Sequence, residues 1–220
     1  MWPFARTARW APFPEPVTGR AVLHTVVLEV AELEAVARNN GMTVYQVCLT
    51  ALAGALRAWR PLAFDTSAPS RNRNGLRVSF LVSLRPSDHD ALGNQASVMP
   101  VILPCGEPSP ATRLRRIAAQ TNRRRIERYR RMLPIFTRFF PYWLLVRTNI
   151  GLRPLVVSTM RLTDGLTVLG VPITGAIAYP GHPFDVHLAI MMQRYGRKIT
   201  VSIMTDEAVT EPERLGHLWR

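Results

Sequence analysis

The chain has 220 residues, 47% apolar and 20% charged, enough to bury a core in one large domain and not a disordered or fibrous composition. Its formal charge of +13 points to anionic partners, but Lys198 is the only lysine among 28 cations, a bias that a GC-rich coding sequence would also produce. Cys48 and Cys105 stand far apart without ligand-like neighbours, which argues against a disulfide framework, a metal site or a bound cofactor, and for a reduced, cytoplasmic setting.

Residues 1–20 form an arm rich in Pro, Arg and aromatics, with Trp2, Phe4, Trp10 and Phe13 free of any helical or strand period. It has no continuous apolar run of signal-peptide type. Such an arm packs either on its own domain, 21–220, or on another chain. Ala21 to Val30 alternates as a strand, and Ala31 to Asn40 reads as a short helix stopped by Asn39-Asn40-Gly41. Thr43 caps a second helix running to Trp59. Apolar and small residues go almost all round it, so it is expected to be buried. Pro61 ends it, and a polar loop follows to Gly75.

The best-patterned stretch is Leu76 to Pro104. Val78, Phe80 and Val82 alternate with Ser79, Leu81 and Ser83, Asp88 to Asn94 supplies turn-formers, and Ala96 to Leu103 resumes as an extended run. Pro108 to about Arg131 reads as one helix, with Leu114, Ile117, Ala118, Thr121, Ile126, Tyr129 and Leu133 in a stripe and arginines elsewhere. A charged helix face is most often simply solvated; contact with anionic lipid is the sharper alternative, and nucleic acid the less favoured one. Met132 to Ile150 is the most hydrophobic region, but Pro134, Arg138, Pro141 and Arg147 interrupt it, so it does not read as a membrane span. Strands are expected at Pro154 to Met160, Leu166 to Val171, Ala176 to Tyr179, Val186 to Met192 and Ile199 to Met204. Arg194 to Lys198 makes a hairpin turn, and Asp206 to Trp219 ends in a short helix.

Catalytic constellations are thin. His182, Asp185 and His187 form the only His/Asp cluster, and His24, His89 and His217 are isolated. There is no Gly-x-Ser-x-Gly elbow, no phosphate-binding loop and no dinucleotide glycine set. No catalytic residue is assigned within the chain.

Several segments, in order, resemble the C-terminal half of the bacterial wax ester synthase/diacylglycerol acyltransferase family, part of the superfamily of chloramphenicol acetyltransferase and condensation domains. They are TVYQVCLTALAGALRAW at Thr43 to Trp59, VSFLVSLRP at Val78 to Pro86, and ALGNQASVMPVILPCGEPSPATRLRRI at Ala91 to Ile117. PLVVST up to Thr159 and ITVSIMTDEAVTEPERL near the C-terminus complete the set. The resemblance implies an α/β fold, a mixed β-sheet flanked by helices, as a single lobe of a chloramphenicol acetyltransferase-like fold. Two such lobes meet around a substrate tunnel. It also implies acyl transfer from a CoA or carrier thioester to an alcohol or amine, with Ser83, Arg85, Gly93, Asn94 and Ser158 as substrate-binding groups.

Three departures qualify the resemblance. The HHxxxDG motif, whose second histidine serves that family as general base, is absent. Tyr45-Gln46 stands where relatives often read Asn-Asp, and Thr159-Met-Arg-Leu-Thr163 stands in place of an Asn-Val-Pro-Gly-Pro-like loop. The expected partner is therefore a second lobe carrying HHxxxDG, or a second copy of the chain, with peripheral membrane contact as a further option. A non-catalytic scaffold derived from the same lobe is the alternative reading.

Overall fold

The computed structural model describes residues 17–61, 75–83, 96–139, 155–181 and 186–219, with backbone alone over 133–139. The arm up to Pro16, most of the loop from Pro61 to Gly75, Arg85, the Leu92-Gly93-Asn94 turn, His182 and Asp185 lie outside them.

The described residues form, in chain order, β1 (Ala21–Glu29), α1 (Val30–Asn39), α2 (Val44–Trp59), β2 (Leu76–Ser83), β3 (Ala96–Leu103), α3 (Pro110–Thr121), α4 (Arg123–Phe139), β4 (Leu155–Arg161), β5 (Thr167–Val168), β6 (Val171–Pro172), β7 (Leu188–Tyr195), β8 (Lys198–Asp206) and α5 (Pro212–Trp219). Six strands form one mixed sheet in the order β1-β8-β7-β4-β2-β3. β2, β4 and β7 run parallel, and the remaining pairs are antiparallel. The α/β lobe expected from the sequence is the one observed.

Alternation decides which residues meet the helices. Val78 and Phe80 on β2, Leu155 and Val157 on β4, Ile190 and Met192 on β7, and Val201 and Ile203 on β8 share one face with Leu49, Leu52 and Leu56 of α2. α2 is buried as its composition requires. Its start is a full capping box: the Thr43 hydroxyl accepts the Gln46 N–H at 3.3 Å, and the Gln46 side chain accepts the Thr43 N–H at 2.8 Å. Trp59 closes the other end, donating its indole N–H to the Glu211 carbonyl at 3.1 Å. α5 approaches the sheet through Gly216, where a Cβ would stand 2.9 Å from a Val26 methyl.

β3 is an edge strand, and unpaired edges invite association. Val98, Pro100 and Ile102 turn their backbone groups outward, and each is dealt with. Gln120 of α3 accepts the Ile102 N–H at 2.9 Å and donates to its carbonyl at 2.8 Å. Pro100 has no N–H to leave open. The Tyr129 hydroxyl of α4 donates to the Val98 carbonyl.

Three expectations are corrected. The helix expected over Pro108 to Arg131 is two helices, because Asn122 adopts an extended conformation (φ −67°, ψ 152°). Its side chain donates to the Ala119 carbonyl at 3.1 Å and accepts the Arg125 N–H at 2.8 Å, satisfying both helix ends at once. The second helix then runs past Arg131 to Phe139, with Pro134 inside it. The strand expected at Leu166 to Val171 is a separate two-residue hairpin, β5–β6, reversing through Leu169 and Gly170 at φ 51° and 79°. Ala176 to Tyr179 is irregular: it pairs with no strand among the described residues, and a strand needs a partner more than it needs local composition.

Candidate functional site

At the carboxyl ends of β2 and β4, beneath the first turn of α2, lies a groove of about 620 Å³. Its position follows from the fold. β2 and β4 are parallel, so both chains leave the sheet at the same edge, and α2 and α4 start there. Leu49, Phe80 and Val82 make an apolar floor, Ser83 and Thr159 stand at the strand ends, and Ile126 and Thr121 close one side. Arg123, Glu127 and Arg130 of α4 form a charged rim, with Arg130 and Glu127 paired at 2.9 Å.

The two residues that replace the family's Asn-Asp pair both line this groove, and both are committed to structural bonds. The Tyr45 hydroxyl donates to the Met160 carbonyl at 3.1 Å, tying α2 to the end of β4. Burial, with Cys48 nearby, pushes this phenol above its ordinary pKa, while Arg194 and Arg161 pull the other way; it stays neutral. Gln46 uses its oxygen on the capping box and its amide on the Thr121 hydroxyl at 3.1 Å, and Thr121 donates onward to the Ile117 carbonyl at 2.8 Å. Neither residue is placed to abstract a proton.

Of the substrate-binding groups expected from the sequence, Ser83 is at the groove mouth and exposed. Ser158 is half-buried on the opposite face of the sheet, paired in register with Met191, and its neighbour Thr159 takes the groove-lining position. Arg85, Gly93 and Asn94 lie outside the described residues. The sequence did not single out Phe80, Thr121, Thr159, Glu127 or Arg130 for the site. Only Thr121 carried a signal, as the last polar member of the α3 stripe.

The described lining holds no histidine, cysteine or lysine. Both cysteines are elsewhere in the core, where burial pushes each thiol up to about 12 and leaves it inert. No group of three metal-ligating side chains exists among the described residues, and none of their helices is long and apolar enough to cross a membrane. The groove is fitted to hold an apolar chain with a polar end. Its one described carboxylate, Glu127, is paired with Arg130 at 2.9 Å.

Residues 92–219 match the family model described as WS/DGAT C-terminal domain. No curated protein matches in sequence. Among solved structures the chain is similar to the wax ester synthase/diacylglycerol acyltransferase from Marinobacter aquaeolei VT8, with 16% identity and a TM-score of 0.60 over 96% of this chain and 50% of that one. It is also similar to a condensation-domain structure from the enacyloxin polyketide synthase (14%, TM-score 0.60, 93% and 40%). A third is the epimerization domain from the third module of tyrocidine synthetase B (14%, TM-score 0.56, 94% and 49%). These identities show a shared fold, and the chain spans half or less of each of those proteins.

Proposed function

Because the chain belongs to the WS/DGAT C-terminal domain family, we propose that it is one lobe of a wax ester synthase-like acyltransferase whose catalytic histidine comes from a partner chain. The observation that carries this reading is the groove: an apolar floor, a polar mouth at Ser83 and Thr159, and along its described wall no histidine, the one carboxylate there, Glu127, being paired with Arg130 at 2.9 Å. The partner would be a lobe carrying HHxxxDG, or a second copy arranged to complete the tunnel.

In this reading the acyl chain of a CoA or carrier thioester lies along Leu49, Phe80 and Val82. The partner's histidine takes the proton from an acceptor alcohol or amine, whose oxygen or nitrogen attacks the thioester carbonyl. The tetrahedral intermediate collapses, the carbon–sulfur bond breaks, and the thiolate leaves to be protonated by the same histidine. Ser83, with Arg85, Gly93 and Asn94 after it in the chain, contributes polar contacts at the donor end, joined by Thr159, which takes the role the sequence had suggested for Ser158.

The test is co-expression with an HHxxxDG-bearing lobe, followed by thiol release from an acyl thioester in the presence of an alcohol. Ser83→Ala and Asn94→Ala should lower turnover by about tenfold to a hundredfold while leaving the complex assembled. A stable monomer that never co-elutes with such a partner would sink the proposal. The second reading, a non-catalytic scaffold, is favoured by Tyr45 and Gln46 being spent on structural bonds. It predicts that both alanine variants turn over at the wild-type rate.

A further inference from the structure

The two outer strands of the sheet are finished differently. On β3, Gln120 bonds both backbone groups of Ile102, Tyr129 takes the Val98 carbonyl, and Pro100 has no N–H. β1 is the opposite edge. It pairs with β8 without a bulge from Ala21↔Asp206 to Glu29↔Lys198, and it carries no proline, lysine or arginine. The Glu207 N–H donates to the Arg20 carbonyl and the Val30 N–H to the Arg197 carbonyl, both at 2.9 Å, so even-numbered residues turn toward β8. Ala21, Leu23, Thr25 and Val27 therefore turn their N–H and C=O groups outward. Among the described residues nothing bonds to them.

The side chains make this edge adhesive as well as open. Leu23 and Val27 lie on the face away from α2, at 38% and 45% exposure, with Thr25 exposed between them, and Val22 is exposed on the other face. An apolar, unbulged edge of nine residues is one that soluble proteins normally blunt. Its sequence is also self-complementary. Turned antiparallel about Thr25, a second β1 sets Leu23 against Val27, Thr25 against Thr25 and Val22 against Leu28. Arg20 then stands beside the second strand's Glu29, both exposed. A parallel arrangement in register would instead put Glu29 beside Glu29 and Arg20 beside Arg20, which repel.

We propose that two copies of the chain join along β1, antiparallel about a two-fold axis at Thr25, into one continuous sheet. The occupant is a second copy because the register that uses the whole strand is also the one that sets apolar against apolar and opposite charge beside opposite charge. Leu23, Thr25 and Val27 of the two copies exchange about six backbone hydrogen bonds across the axis. The edge lies three strands from β4, roughly 14 Å across the sheet, so a copy docked there does not close the groove. Each groove of the pair stays open to a partner lobe. The inference therefore does not rest on the acyl-transfer reading, and it adds a contact which that reading does not use.

The experiment is sedimentation velocity on the full chain alone, from about 1 to about 200 μM, the range in which a small edge-to-edge contact associates. A dimer should form within it. Thr25→Pro removes an N–H that β8 does not use, so it should leave the urea midpoint near wild type. The same variant should weaken the dimer about a hundredfold, since two hydrogen bonds are lost at the axis. Val27→Lys should weaken it at least about tenfold. Both native cysteines are buried, so Thr25→Cys supplies a single reactive thiol, and a short bismaleimide should join two chains through it. Ala119→Cys, exposed on α3 beside the other edge, should not cross-link. Should Thr25→Pro fail to fold, Val27→Lys and the cross-link decide. A monomer across the whole range overturns the proposal, whether residues 1–16 or another protein then takes the edge. So does a dimer that Val27→Lys leaves intact or that Thr25→Cys fails to trap. The chain is measured here without a partner lobe, so a monomer leaves the acyl-transfer proposal to its own co-expression test, and loss of turnover there leaves the β1 contact standing.

Discussion

The two faces of the six-stranded sheet are buried to similar depths but built from different chemistry. Toward α2 stand Val78, Phe80, Val157, Ile190, Met192, Val201 and Ile203. On the other face stand Ser79, Gln193, Thr200, Ser202 and Asp206, with Ser79, Gln193 and Ser202 at 1%, 2% and 0% exposure. Burial on the first face contributes stability through apolar area alone. On the second it costs free energy wherever a polar group lacks a partner, and the partners are unevenly supplied. Asp206 is fully satisfied, accepting N–H bonds from Thr18 (3.1 Å), Gly19 (2.9 Å) and Ala208 (3.0 Å) and the Thr18 hydroxyl at 3.0 Å. Among the described residues the Ser202 hydroxyl and the Gln193 amide nitrogen have no partner. The first face therefore holds the fold, and the second is fixed mainly at its Asp206 corner.

The largest expected effect tests the apolar face. Ile190 is fully buried between β4 and β8, so Ile190→Ala should cost about 2–5 kcal/mol, read as a lower urea midpoint with an unchanged slope. A cost under ~1 kcal/mol would mean that the two faces contribute alike, and the comparison would fall.

Asp206 comes next. Burial by itself would raise its carboxyl pKa, but the N–H groups of Ala208, Thr18 and Gly19 and the Thr18 hydroxyl outweigh that and hold it below the usual 3.8. A folded-state pKa below the unfolded value gives a stabilisation that is complete above about pH 4 and is lost as pH falls through the lower folded value. Asp206→Asn should cost about 1–3 kcal/mol at neutral pH, because its amide would face N–H groups with a second donor. It should also flatten the acid limb of a midpoint-against-pH curve. An acid limb identical to wild type would place the titrating group elsewhere.

How much of this was legible in the sequence depends on how local its cause is. The β2 alternation and the Thr43 cap are set by neighbours a few residues apart, and both were readable, though Gln46's return bond to Thr43 was not singled out. So was the family resemblance, which rests on ordered segments such as Thr43 to Trp59 and Ala91 to Ile117. The break at Asn122 was not, because one polar residue inside an arginine run looks like a solvated position until its side chain is seen capping two helices. Nor was the β5–β6 hairpin: Leu166 to Val171 has strand composition, and its reversal at Leu169 and Gly170 turns it back on itself as two-residue pairing. At the groove, Ser83 was named through the family resemblance, and the structure puts it at the mouth. Thr159 lines it in place of Ser158 because the parallel register of β4 with β2 and β7 turns odd-numbered β4 residues toward α2. A pairing register between distant strands leaves no trace in local spacing.

The smallest expected effect is the most diagnostic of the polar face. Ser202 is completely buried on β8, opposite Met191, and its hydroxyl has no partner among the described residues. Removing a buried hydroxyl that makes no hydrogen bond relieves its desolvation penalty and leaves only a small void, so Ser202→Ala should be neutral or slightly stabilising, within about 0.5 kcal/mol of wild type. Denaturant unfolding of the two proteins side by side measures this. A loss above ~1 kcal/mol would mean that the hydroxyl is bonded in solution. The polar face would then be a satisfied network held throughout its length, not one fixed chiefly at Asp206, and the contrast between the two faces would reduce to one of chemistry without one of stability.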